Sequence, residues 1–115
     1  MASKWEIWLA NLEPAFGSEQ GKTRPVLIIS NDEVNKFLNV VNAIPITTRK
    51  ENRDVYPNEV FISSGSYGLK NDSLIIAHQI RTLDKKRLLR KLGQITIEEK
   101  QKEVFEALKF QFEIK

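Results

Sequence analysis

The chain has 115 residues, a length that fits one domain with a modest core, and 41% of them are hydrophobic, a share that argues against disorder. It contains no cysteine and a single histidine, His78, which excludes disulfides, thiolate chemistry and zinc sites built from His and Cys. A net charge of +3 and a pI of about 9.2 permit nucleic-acid binding without demanding it.

No acidic cluster has metal-ligand spacing, so neither a metal nor another cofactor is expected. The opening residues carry Trp5 and Glu6 where the apolar region of a secretory signal would begin. The apolar runs are too short to span a bilayer. A soluble cytoplasmic protein without a membrane partner is the expectation.

Residues 5–12, W-E-I-W-L-A-N-L, read as a first strand. Residues 13–24 hold Pro14, Gly17, Gly21 and several polar residues, and read as a long loop between strands. Residues 25–30 contain the continuous apolar run V-L-I-I of a buried strand. Asn31 and Asp32 break it and can cap a short helical turn over 33–37. Residues 39–47 form another apolar run, in which Pro45 predicts a strand end or an edge position. A polar loop over 49–58 leads to a short strand at 59–63, and the glycine-containing turn 64–72 leads to a strand at 73–80. Alternation along that last strand puts Ile76, His78 and Ile80 on one face.

The pattern then changes. Asp84 can cap a short helix, K-K-R-L-L-R-K-L, closed by Gly93, with Lys85, Lys86, Arg87, Arg90 and Lys91 forming a basic face. Thr96, Ile97, Glu98 and Glu99 fit a capping box. It would open a longer helix with Ile97, Val104, Phe105, Leu108 and Phe112 near one face. Short strands followed by helices predict a mostly β fold, a small barrel with a C-terminal helix against it, in one domain over residues 1–115.

Three segments are able to carry chemistry. The first is G-S-E-Q-G-K-T-R-P, residues 17–25. Its glycines let backbone approach a ligand, and Arg24 stands where the loop re-enters the sheet, offering a planar fork of donors to a phosphate. Taken alone, it reads more readily as a flexible hairpin loop with a surface ion pair. It is not a nucleotide-binding P-loop: Phe16 stands where the upstream glycine is required, and a strand rather than a helix follows. The second is P-I-T-T, residues 45–48, whose hydroxyls can hold a phosphate or simply serve as strand-forming threonines. The third is H-Q-I-R-T-L-D, residues 78–84, in which His78 is either structural or a titrating group, and Arg81 and Asp84 are spaced to pair as a clasp.

These segments, in this order, resemble the MazF/PemK family of type II toxin–antitoxin toxins. E-I-W-L-A-N-L-E-P resembles its first strand and G-S-E-Q-G-K-T-R-P-V-L-I-I-S-N-D its most specific block; P-I-T-T and D-S-L-I-I-A-H-Q-I-R-T-L-D-K-K-R-L-L complete the match, from about Trp5 to Gly93. The resemblance implies an SH3-like β-barrel, a homodimer, and metal-independent, sequence-specific cleavage of single-stranded RNA to 2′,3′-cyclic phosphate and 5′-hydroxyl ends. It implies Arg24 and Thr47 as the catalytic pair, and a cognate antitoxin that lays an extended acidic segment across the same groove. Ser18, Gln20, Lys22, Thr48, His78 and Gln79 are then the candidates for lining the RNA path. Two positions depart from the family pattern: Trp5 stands where many relatives have glycine, and His78 where relatives often carry a carboxylate. The rival functions are a gyrase-poisoning toxin on the same barrel and a non-catalytic RNA-binding module.

Overall fold

In the computed structural model, which describes residues 2–115, the first apolar run forms β1 (Glu6–Asn11), and the long loop delivers the chain to β2 (Thr23–Ile28). They pair antiparallel, Ile7 opposite Leu27 and Asn11 opposite Thr23. The expected helical turn follows as α1 (Asp32–Phe37): the Asn31 side chain accepts from the Glu33 amide, and buried Asn35 bonds back to Ser30 and Asp32.

The long strand β3 (Val40–Thr48) is shared among three partners. Its first part pairs with β6 (Arg81–Asp84), its middle with β2, and its end with β5 (Ser73–Ile76), which also pairs with β4 (Glu59–Ile62). Pro45 is therefore neither at a strand end nor on an edge; it is buried inside β3 opposite Val26. It is tolerated because the β6 ladder stops at Ala43 and the β5 ladder starts at Ile46, leaving that flank of β3 unpaired at Pro45.

Two further expectations are corrected. The strand begun at Ser73 ends at Ile76, and Ala77–Gln79 is a 3-10 turn: Ala77 donates to Asn58 and Ile80 donates back to Ala77. His78 thus does not share a strand face with Ile76 and Ile80; it projects into solvent. The segment K-K-R-L-L-R-K-L is not a helix either. Asp84 does cap, accepting from the Lys86 amide, but only one 3-10 turn (Lys85–Arg87) follows before the chain extends as β7 (Leu88–Gln94). β7 satisfies the open edge of β1, with two irregularities in register. Asp84 being committed to that cap, the clasp with Arg81 is not among the ion pairs of the described residues.

The C-terminal helix α2 (Glu98–Phe112) is present, but Thr96 does not cap it; Ile97 occupies that position without a side-chain bond. Its buried stripe is Val104 and Ala107, with Leu108 packed beside them, whereas Ile97, Phe105 and Phe112 stay exposed. The core lies on both faces of the sheet. Ile7, Leu27, Ile44, Ile46 and Ile75 meet α2 on one face; Ala10, Val26, Ile28, Val41 and Leu83 form a smaller cluster on the other. This double burial is what the continuous run V-L-I-I encodes.

The strands run in the order β4-β5-β3-β2-β1-β7, with β6 on β3, and no ladder joins β4 to β7. The sheet is mostly β with a C-terminal helix, as expected, but it does not close as a barrel. The gap is spanned by backbone contact instead of hydrogen-bonded strands. The loop after β4 presses on β7 so closely that a Cβ at Gly93 would stand 2.0 Å from the Tyr67 carbonyl oxygen, and one at Gly68 2.1 Å from that of Leu92. Among the described residues no helix is long and apolar enough to cross a membrane.

Candidate active site

Continuing the β2–β3 register by two residues beyond Val26 and Pro45 brings Arg24 across from Thr47. The contact is made: Arg24 Nη1 donates to Thr47 Oγ1 at 3.3 Å, and Arg24 Nε donates to the Gly21 carbonyl at 2.9 Å. Both residues are half-buried at the wall of a cleft of about 440 Å³. Lys22 and Thr48 line the same cleft, as do Lys70, Asn71, Ser73 and Arg90. Four cationic side chains and no carboxylate line it. A cavity of this kind favours a polyanion, and hydroxyls from two strands stand beside an arginine fork. Among the described residues, no group of three or more His, Cys, Asp or Glu side chains is arranged to hold a metal ion.

The whole chain, in sequence and in fold, is similar to known proteins. Residues 3–112 match the family of PemK-like, MazF-like toxins of type II toxin–antitoxin systems. The chain belongs to this family. It is 44% identical over 108 residues to Endoribonuclease MazF of Staphylococcus saprophyticus subsp. saprophyticus, an alignment covering 94% of this chain and 88% of that one. The crystal structure of MazF from Deinococcus radiodurans superposes with a TM-score of 0.80 at 26% identity, covering 97% of this chain and 96% of that chain. The fold is also that of a mycobacterial endoribonuclease in complex with its cognate antitoxin, with a TM-score of 0.80 at 23% identity over 100% of this chain and 98% of that one.

The other candidates fall elsewhere. Ser18, His78 and Gln79 line a second, separate depression of about 420 Å³ with Phe16, Glu19 and Arg81. Gln79 joins it to the loop: its Oε1 accepts from the Gln20 amide at 3.3 Å, and its Nε2 donates to the Ser18 carbonyl at 3.2 Å. Gln20 lines neither depression, and its own Oε1 is buried without a hydrogen-bond partner. Seven of the eight candidates therefore fall in two groups, and Gln20 lies in the loop that Gln79 pins to the 3-10 turn.

Lys70 escaped the sequence reading, and Arg90 entered it only as part of a basic helix face. Lys70 sits in a turn whose packing no pattern announces, and Arg90 sits in a segment whose spacing imitates a helix. Lys91, its neighbour, turns away to pair with Glu6 at 3.0 Å. Burial pushes the Glu6 carboxyl up, but the indole N–H of Trp8, the Ser3 amide and Lys91 together hold it below the usual carboxylate range.

Proposed function

We propose that this toxin is a metal-independent endoribonuclease of single-stranded RNA, messenger RNA above all, that Arg24 and Thr47 carry its chemistry, and that cleavage halts translation and growth. The observation that carries the reading is the Arg24–Thr47 pair inside a cleft lined by cations and no carboxylate. In this reaction the RNA's own 2′-hydroxyl gives up its proton as its oxygen forms a bond to the adjacent phosphorus, the bond to the 5′-oxygen breaks, and that leaving oxygen takes up a proton. The products are a 2′,3′-cyclic phosphate and a 5′-hydroxyl. Charge accumulates on the non-bridging oxygens of the phosphorane. The Arg24 fork stabilises it, and the Thr47 hydroxyl donates to one of those oxygens. Holding the strand in line supplies much of the remaining acceleration. Lys22 and Thr48, in the same cleft, extend the phosphate path. Ser18, Gln20, His78 and Gln79 belong to the adjoining surface where bases are read.

The toxin acts in the cytoplasm as a homodimer; its small size and exposed side chains such as Phe37, Leu38 and Leu89 support a second copy covering apolar surface. Sedimentation as a monomer only, at micromolar concentration, would contradict that. The cognate antitoxin occupies the cationic cleft with an extended acidic segment, and its binding excludes RNA. The mechanism is tested by the ends of the products: cyclic phosphates support it, whereas cleavage leaving linear 5′-phosphates would contradict it.

A further inference from the structure

Loop 13–22 is not a slack connection. Its base is closed by Leu12 donating to the Lys22 carbonyl at 2.8 Å. Arg87 Nη1 bonds the carbonyls of Asn11 and Glu13, and Glu13 turns its carboxylate inward, accepting from the amides of Lys22 and Ala15. Lys22 is held at φ +62, in the left-handed region that a side chain seldom adopts. The carboxylate also packs against its neighbour: a Cβ at position 21 would meet Glu13 Oε1 at 2.6 Å and the Ala15 Cβ at 2.9 Å, so a side chain there would have to displace the carboxylate or shift the loop.

The amide of Lys22 and the carbonyl of Gly21 belong to one rigid, planar peptide unit and point in opposite directions. At one edge of this plane stands the Glu13 carboxylate; at the opposite edge the carbonyl receives Arg24 Nε at 2.9 Å. We propose that Glu13 is a positioning residue for Arg24, acting through the Gly21–Lys22 peptide plane. It fixes the tilt of that plane and thereby aims the guanidinium, whose Nη1 reaches Thr47. An acceptor on the N–H also polarises the peptide and strengthens the bond its carbonyl receives. A catalytic group held by a second, non-reacting shell is what precise chemistry demands.

The proposal rests on Arg24 being catalytic, so its test carries one readout that does not need cleavage. The Arg24 Nε–H signal is followed by heteronuclear NMR, alongside kcat and KM on an RNA oligonucleotide. In the wild-type protein the signal is displaced from the position of free arginine. In Glu13→Ala it moves toward that position, and kcat falls about tenfold while KM stays within about twofold. Glu13→Gln keeps one acceptor oxygen for the Lys22 amide and restores most of the rate. A Glu13→Ala enzyme within about twofold of wild-type kcat, an unmoved Nε–H signal, or a Gln variant as slow as the Ala variant would each overturn the proposal. Should Glu13→Ala not fold, a wild-type signal already at the free position overturns it alone. If the wild-type protein cuts no RNA, the ribonuclease reading fails, while the NMR signal still decides the role of Glu13.

Discussion

Arg24 Nη1 lies 3.3 Å from Thr47 Oγ1, across adjacent strands and 23 positions apart in the chain. The antiparallel register of β2 and β3 brings the two motifs together, and the loop carbonyl of Gly21 sets the angle from which the guanidinium arrives. Replacing Arg24 by alanine removes the charge and both hydrogen bonds from a half-buried surface position that contributes nothing to either core cluster. We expect Arg24→Ala to lower kcat/KM on RNA by about a hundredfold or more with melting nearly unchanged. Arg24→Lys keeps the charge but not the fork and should also fail to restore the rate. Cleavage by Arg24→Ala near the wild-type rate would refute the assignment.

Gly93 and Gly68 let the loop after β4 pack against β7 where no ladder joins the strands. Gly93→Ala drives a methyl group into the Tyr67 carbonyl, and the neighbour is backbone, with no flexible end to yield. The expected cost is about 1–3 kcal/mol of stability, read from urea denaturation. A variant as stable as the parent would mean that the loop can withdraw from β7.

Trp5 is held at φ +76, in the left-handed region that glycine adopts at no steric cost. The conformation is fixed from both sides: Trp5 donates to Ile28, and its carbonyl accepts from Ile95. Its ring meets Phe105 edge-on at 5.2 Å between centroids. The usual order of substitutions should therefore invert. Trp5→Gly is expected to be more stable than Trp5→Ala by about 1 kcal/mol, because both lose the ring contact and only alanine keeps the strain. Thermal melts of the two variants settle the order, and an alanine variant equal to or above the glycine one would refute it.

The buried carboxylate of Glu59 is gripped by both nitrogens of the Arg53 fork, at 2.8 and 2.7 Å, and by the Tyr56 amide. The Arg53 bonds hold it below the usual carboxylate range, against the upward push of burial. A folded-state pKa below the unfolded one gives stability that is fully present above the unfolded value. That stability is lost as the pH falls through the folded one. Glu59→Gln should lower the melting temperature near neutrality and converge with the wild type in acid. A deficit that does not shrink on acidification would show that Glu59 acts by packing alone.

The short strands and α1 were legible because alternation, apolar runs and the Asn31 cap are local signals. The family motifs supplied Arg24 and Thr47, but the pairing of those residues depends on strand register, which no local pattern encodes. The chief misreading, residues 85–92 as a helix, has a physical cause. Leucines three and four apart with basic residues between them suit a helix face, and only the open edge of β1 decides for a strand. His78 lost its predicted strand face because the chain turns at Ala77, a turn fixed by the distant Asn58 carbonyl. The capping box failed in the same way: Thr96 has the right type at the right spacing, but the chain enters α2 through Ile97 without using its hydroxyl. Lys70, Arg90 and the inward carboxylate of Glu13 become visible only once loops and strands are assembled around the cleft.

The most direct test of the central claim is to incubate the purified protein with single-stranded RNA of mixed sequence in excess chelator and to determine the ends produced. The account predicts cleavage at preferred sites, with 2′,3′-cyclic phosphate on one fragment and 5′-hydroxyl on the next. RNA that stays intact across all sequences would contradict it.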